Sequence, residues 1–188
     1  MRTPFFSQAW LWLLFLIFAS LFFSLGIACA VPLAAFAALG ALTLPRGAAF
    51  GLIGAVWLTN QIAGYTHLSY PIDGRTAAWG FALVTAGVLA TIAALSIKAR
   101  FPKSGILTAG LAFLVAFAAY EGFLFVITLV FESDLSAYEP TVIGRILAIN
   151  AATFAMFVLL HRFASAFGSS VETPVEIPSR RRRWPSTI

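Results

Sequence analysis

The sequence predicts an all-α protein that crosses a membrane several times. Of its 188 residues, 61% are hydrophobic and only 10% are charged, whereas a soluble domain carries about a quarter charged residues. Runs of roughly 20 apolar residues recur along the chain, and each is long enough to cross a hydrocarbon core about 30 Å thick. Together these observations predict a transmembrane domain over residues 1–167 and a basic, disordered cytoplasmic tail over residues 168–188.

Six helices account for the apolar runs. The first run is too long for one crossing, and Pro32, which follows Gly26 and several small residues, divides it. The turn Pro45-Arg46-Gly47 separates the second helix from the third, and polar loops divide the later ones. The second helix is short for a full span. The predicted helices cover residues 8–29, 32–44, 47–64, 76–97, 105–131 and 141–166.

The charge distribution agrees with six crossings, which place both termini on one side of the membrane. Ten of the twelve basic residues fall on that side, among them the run Arg180 to Arg183. Basic residues concentrate in cytoplasmic loops, so both termini are predicted to be cytoplasmic in a multi-pass protein of a bacterial inner membrane. The opposite loops hold the acidic residues Asp73, Glu132, Asp134 and Glu139.

Small residues recur every fourth position on three of the predicted helices. In lipid, such residues let helix backbones approach closely. Ordinary packing within the bundle is the simpler interpretation, and docking of a partner protein is the alternative. The small-residue positions are Ser20, Ser24 and Ala28; Gly47 and Gly51, followed by Gly54; and Ala82, Ala86, Ala90 and Ala94.

Polar residues within the apolar helices fall at one depth. Glu121 lies about ten residues from the outer end of its helix, hence roughly 15 Å deep, and Asn150 lies at nearly the same depth. Arg145, Asn60 and Gln61 lie nearer the outer end of their helices. An unpaired carboxylate at such a depth costs about 2.5 kcal/mol or more. The pattern predicts either a ligand cavity open to the outside, or a structural network in which Glu121 bonds to Asn150 or Arg145.

The loop between the third and fourth predicted helices is rich in aromatic side chains, and it is expected to cover the cavity. Tyr65, Tyr70 and Trp79 offer flat faces to a ring-bearing ligand. His67 offers a metal ligand or a pH sensor, although a lone loop histidine is more often simply solvated. The predicted ligand-binding residues are Glu121, Asn150, Asn60, Gln61, Tyr65, Tyr70, Trp79, Arg145 and His67.

No enzyme chemistry is predicted. The sequence has no HExxH or Walker A motif, and no Ser/His/Asp set falls at one depth. The single cysteine, Cys29, excludes an intrachain disulfide and a CxxC redox pair. We expect no cofactor and no metal site. The arginine run of the tail suits anionic lipid head groups rather than nucleic acid.

The six helices, the cytoplasmic termini, the small-residue stripes and the polar pocket under an aromatic loop resemble the substrate-binding S-components of energy-coupling-factor vitamin transporters. The resemblance is architectural and covers residues 8–166. It implies uptake of a vitamin-sized ligand, with ATP-hydrolysing coupling subunits as partners. In that family an Ala-xxx-Ala stripe on the first helix docks the coupling subunit, and here Ser20, Ser24 and Ala28 have that spacing. Two alternatives stay open: a structural or assembly membrane protein, and a proton-coupled channel that uses Glu121.

Overall fold

The computed structural model describes residues 4–26, 31–102, 105–131 and 135–169, with side chains over residues 9–165 of that part. The described part is all helical apart from short connections, which confirms that the fold is all-α. A single turn of 3₁₀ helix, Ser136–Tyr138, precedes the last helix. The helices are α1 (Pro4–Gly26), α2 (Leu33–Thr43), α3 (Arg46–Thr66), α4 (Gly74–Arg100), α5 (Ile106–Phe131) and α6 (Pro140–Ser169).

The helix boundaries differ from the predicted ones by only a few residues at most ends. The bounds of α2 and α5 agree with the prediction to within one residue. α1 begins earlier than predicted, at Pro4, and α6 continues into the first two residues of the predicted tail. Cys29, Ala28 and the rest of the predicted tail, residues 170–188, lie outside the described residues.

Four of the described helices, α1, α4, α5 and α6, are long and apolar enough to cross a membrane. The protein is therefore a multi-pass membrane protein. α3 has 21 residues but is less apolar, because it carries Asn60, Gln61 and several glycines. α2 has only 11 residues, which is about 16 Å at 1.5 Å per residue. Six complete crossings therefore stay a prediction.

The short helix α2 lies at the centre of the bundle. Residues 33–41 are all buried, and α2 packs against α3, α4, α5 and α6. α1 packs mainly on α3 and reaches α2 through the rings of Phe23 and Phe36, whose centroids are 6.2 Å apart. A helix that is apolar on every side suits this central position.

Both ends of α2 are capped by side chains from other helices. At its start, Ala35 N donates a hydrogen bond of 3.1 Å to Asn150 Oδ1 of α6. At its end, Lys98 Nζ of α4 donates to Ala41 O at 2.8 Å and to Leu42 O at 3.1 Å. A helix leaves N–H groups unpaired at its start and carbonyls unpaired at its end, and a positive charge at the C-terminus is favourable. Two polar side chains therefore hold the central helix in place.

We call the end that contains the loop between α3 and α4 the Tyr70 end. The opposite end, the Lys98 end, brings together Leu42, Lys98, Phe101 and Arg162 around one surface depression.

The predicted alanine stripe on α4 is confirmed as a packing surface, because all four alanines are buried. Two glycines on the same helix allow α3 to approach. A methyl group on Gly87 would lie 2.8 Å from Ile53 Cγ2, and one on Gly80 would lie 2.9 Å from Gln61 Oε1. Both distances are shorter than van der Waals contact. The Gln61 side chain can move away from Gly80, but Ile53 Cγ2 is held close to its helix, so Gly87 is the position where this approach of α3 and α4 depends on glycine.

For the glycines on α3, close packing within the described part of the bundle is not seen, and docking of a partner, the alternative, stays a prediction. Added methyl groups on Gly47, Gly51 and Gly54 would meet no atom of another element within 4 Å in the described chain. By contrast, Ser20 and Ser24 of α1 are fully buried, which agrees with packing inside the bundle.

Candidate functional site

A cavity of about 440 Å³ lies between α2, α3, α4 and α5 near the Tyr70 end. Ligand sites in proteins usually measure about 300–1,000 Å³, and they combine apolar walls with a few polar groups. This cavity lies within that range of volume, and its walls are mainly apolar with a few polar groups. Its lining residues are Val31, Leu33, Asn60, Tyr70, Trp79, Leu83 and Tyr120.

Asn60 is the most polar residue of the lining. The residue is only 5% exposed, and its Oδ1 makes no hydrogen bond. Within the described chain, its Nδ2 has no hydrogen-bond partner either. A buried polar group without a partner costs about 1–3 kcal/mol. Oδ1 itself is fully buried, so the Nδ2 side of this amide is the part that a molecule in the cavity could contact.

Tyr70 lines the cavity on its loop side. Tyr70 N donates a hydrogen bond of 3.0 Å to Gly64 O, and the ring lies so close to Gly64 that a methyl group there would collide with it. Ser69 has a φ of 55°, a left-handed conformation that costs an L-residue about 1–2 kcal/mol. The ring of Tyr65 contacts that of Tyr70 edge to face, with centroids 6.3 Å apart. The loop therefore holds Tyr70 in one position.

Trp79 and Tyr120 supply the other aromatic walls of the cavity. Trp79 lies in the second turn of α4 and Tyr120 lies midway along α5. Tyr120 is 6% exposed, and its hydroxyl makes no hydrogen bond to any residue that the structure describes. The cavity therefore offers flat apolar faces together with a second unpaired polar group.

Glu121 does not belong to the cavity lining. It is half-buried on α5, within electrostatic range of the hydroxyls of Tyr120 and Tyr138. Burial, together with the charge of Glu121, raises the pKa of the Tyr138 hydroxyl above its usual value. A hydrogen bond with Thr128 acts in the opposite direction but does not outweigh them.

The structural network predicted around Glu121 is not formed. Asn150 is hydrogen-bonded to Ala35 N and to its own helix at Ile146 O, and Arg145 is exposed. No hydrogen bond or ion pair of Glu121 is present within the described ranges. The expected pairing of Glu121 with Asn150 or Arg145 is therefore wrong, because Asn150 caps α2 instead.

Three of the predicted ligand-binding residues, Asn60, Tyr70 and Trp79, line the cavity. Gln61 lies against Gly80 of α4, and Tyr65 lies behind Tyr70. A binding role for the residues outside the lining stays a prediction. Those residues are Gln61, Tyr65, Glu121, Asn150, and the exposed His67 and Arg145. Over the described residues, no group of three or more His, Cys, Asp or Glu side chains could hold a metal ion.

Two positions that matter in the structure were not identified from the sequence. Tyr120 lines the cavity, and Lys98 caps α2. The signal for Tyr120 was its spacing of four residues from Ala116 and Leu124, which are buried on the same face of α5. Lys98 gave no such signal, since its long side chain also fits a simple charge at a helix end.

The helices and the cavity together define a multi-pass membrane protein with a candidate small-molecule site. Comparisons with protein-family models, with curated proteins and with solved structures find no match to this chain. A function for this protein is therefore inferred from the geometry of the site.

Proposed function

We propose that the protein binds a vitamin-sized small molecule in the cavity around Asn60 and takes part in its uptake across a bacterial inner membrane. The observation that carries the proposal is Asn60, a buried residue that lines a cavity of about 440 Å³ and whose side-chain amide makes no hydrogen bond within the described residues. A purely structural asparagine in a membrane bundle is expected to bond to another helix, as Asn150 does.

The distribution of charged residues between the two ends of the bundle supports a cavity that faces the outside of the cell. The Lys98 end carries Arg46, Lys98, Arg100 and Arg162, whereas Asp73 and Glu139 lie in the connections of the Tyr70 end. Basic residues favour the cytoplasmic side. The proposal therefore includes six crossings, two cytoplasmic termini and a cavity that loads from the outside.

Release of the ligand into the cytoplasm requires the helices to move. The cavity borders Leu33 at the start of α2, and the buried length of α2 fills the centre of the bundle beyond it. The sequence has no nucleotide-binding motif, so the proposal assigns the energy to separate ATP-hydrolysing coupling subunits. Ser20 and Ser24 are fully buried, so such a subunit would contact a different surface.

Mass spectrometry of molecules that copurify with the protein tests the proposal. The wild-type chain and Asn60→Leu are purified from membranes in mild detergent, and the molecules released on denaturation are compared. Thr59→Val is the matched control, because Thr59 precedes Asn60 but faces a groove between α1 and α3. We expect one small molecule with the wild type and the control, and its loss from Asn60→Leu. Equal amounts in all three, or none in any, would contradict the proposal.

A structural or assembly role is the second candidate. It is favoured by the contacts of Asn150 and Lys98, which show that polar side chains of this bundle fix helices to one another. Under this role, Asn60→Leu leaves the content of bound molecules unchanged, and only variants of the two capping residues lower stability.

A further inference from the structure

We propose that the protein binds one anionic phospholipid at the Lys98 end of the bundle, with the lipid phosphate beside Lys98 and Arg162 and an acyl chain between α1 and α6. This site lies at the opposite end from the cavity around Asn60, so the proposal does not rest on the proposed function. Three features support it: a cationic depression, an apolar groove that adjoins it, and the position of both at the ends of membrane-crossing helices.

The surface depression at the Lys98 end has a volume of about 250 Å³, and basic side chains surround it. Lys98, His161 and Arg162 line the depression, and Arg46 lies within electrostatic range of Lys98. No Asp or Glu among the described residues lines it, and neither Lys98 nor Arg162 makes an ion pair within the described chain. Basic pockets between membrane helices bind anionic lipid head groups. The depression therefore suits a phosphate.

The charge of Lys98 is only partly offset by the protein. Its Nζ donates to Ala41 O and Leu42 O, which uses two of the three N–H donors of an ammonium group. The C-terminal end of a helix carries only about half a negative charge, so α2 does not neutralise the lysine. A phosphate in the depression supplies the missing negative charge and accepts the third N–H.

An apolar groove adjoins the cationic depression. It has a volume of about 390 Å³ and lies between α1 and α6. Thr43 and His161 line both the groove and the depression, so the two are neighbours on one surface. Leu11, Phe15 and Ala164 supply apolar walls. A molecule with a negatively charged head and a hydrocarbon chain fits both parts at once.

The position of the site along the helices favours a lipid over a soluble anion. Lys98 lies in the last turn of α4, and Arg162 lies close to the end of the apolar span of α6. Trp12 lies near the start of α1, donates from Nε1 to Thr43 Oγ1 at 3.2 Å, and contacts the ring of His161, with centroids 5.0 Å apart. Tryptophan is enriched at the level of the head groups. The depression therefore lies where the phosphates of a bilayer lie.

Native mass spectrometry of the full-length protein, stripped of lipid in mild detergent, tests the proposal. The probes are dioleoylphosphatidylglycerol; dioleoylphosphatidylcholine, which has the same chains but no net charge; dioleoylglycerol, which lacks the phosphate; and glycerol 3-phosphate, which lacks the chains. We expect the wild type to bind phosphatidylglycerol about tenfold more tightly than each of the others, since each basic residue near an anionic head group contributes about 1 kcal/mol.

Two pairs of variants locate the site. Arg162→Gln should weaken binding of phosphatidylglycerol about fivefold, whereas Arg145→Gln, the same change near the other end of α6, should not. Both arginines are exposed and make no hydrogen bond within the described residues, so neither change disturbs the fold. Ala164→Trp fills the groove and should also weaken binding. Ala155→Trp is its control, because Ala155 is exposed on the same helix and lines neither the groove nor the depression.

Each outcome supports or overturns the proposal. Equal binding of phosphatidylglycerol and phosphatidylcholine would overturn it, as would equal losses in Arg162→Gln and Arg145→Gln. Binding of glycerol 3-phosphate as tight as that of phosphatidylglycerol would overturn it in favour of a soluble anion. Full binding in Ala164→Trp would show that no chain occupies the groove and would overturn it too. The arginines 180–183 are present in every variant, so their attraction for anionic lipid cancels from the comparisons.

Discussion

Replacing the two buried asparagines with leucine should affect stability in opposite directions. Asn150 is 3% exposed and Asn60 is 5% exposed, so burial alone does not distinguish them. Asn150 accepts a hydrogen bond from Ala35 N at 3.1 Å and donates one to Ile146 O at 3.0 Å. The Oδ1 of Asn60 has no partner. The difference between the variants therefore reports hydrogen bonding rather than position.

The expected magnitudes follow from the groups left behind. Asn150→Leu leaves the N–H of Ala35 unpaired at the buried start of α2, which costs about 1–3 kcal/mol. For a chain of this size, 2 kcal/mol corresponds to a fall of about 4–8 °C in melting temperature. Asn60→Leu removes an amide without breaking a hydrogen bond and places apolar surface beside Leu33 and Leu83. We expect no loss, or a gain of about 1 kcal/mol.

Thermal unfolding of the full-length protein, followed by circular dichroism in one detergent, measures both effects. Thr59→Val serves as the control for a polar-to-apolar change on α3. The double variant should show the sum of the two single effects, since the residues have no shared partner in the structure. A fall in melting temperature for Asn60→Leu equal to that for Asn150→Leu would refute the reasoning, because it would mean that the Asn60 amide is already paired.

Three further predictions concern helix ends and helix packing. Lys98→Met removes the donor to the last carbonyls of α2 and should lower stability by about 1–3 kcal/mol; an unchanged unfolding curve would show that the cap is dispensable. Gly87→Ala should cost about 1–3 kcal/mol through overpacking, whereas Gly54→Ala, in open space, should raise stability by about 0.5–1 kcal/mol; equal shifts in melting temperature would contradict the packing described for α4. Hydrogen bonds from the backbone and side chain of Thr76 lower the pKa of Asp73 below 3.8, so its contribution to stability is complete above that value and is lost as the pH falls through the folded-state pKa. On acidification below about pH 4, the melting temperature of the wild type should therefore fall more steeply than that of Asp73→Asn, and parallel curves would disprove the assignment.

Depth in the bundle could be predicted from the sequence, but direction around each helix could not. Depth follows from counting residues at 1.5 Å each, and the count placed polar residues of three helices in the outer half of the membrane; of these, Asn60 lines the cavity, together with Tyr70 and Trp79 near the loop that was expected to cover it. Direction changes by about 100° from one residue to the next. Tyr120 and Glu121 therefore share a depth, yet only Tyr120 lines the cavity. Which of two neighbours points inward is decided by the helices packed around α5.

The same limit applies to the glycine motif of α3. Gly47 and Gly51 have the spacing of a packing motif, but a methyl group added at either would meet no atom of another described element within 4 Å. The close approach occurs instead at Gly80 and Gly87 of α4, which are seven residues apart. A four-residue spacing identifies a face of a helix, and it does not reveal which face a neighbour will cover.

The capping of α2 has a consequence for the order in which the protein matures. Ribosomes make the chain from its N-terminus, so the residues of α2 are synthesised before either capping residue exists. Lys98 comes with the last turn of α4, and Asn150 comes with α6. A lipid environment has no water to pair with open amide and carbonyl groups in the meantime. The insertion of α6 is therefore the step that completes the hydrogen bonding of α2. Until then, the N–H of Ala35 at the start of α2 lacks its partner, Asn150.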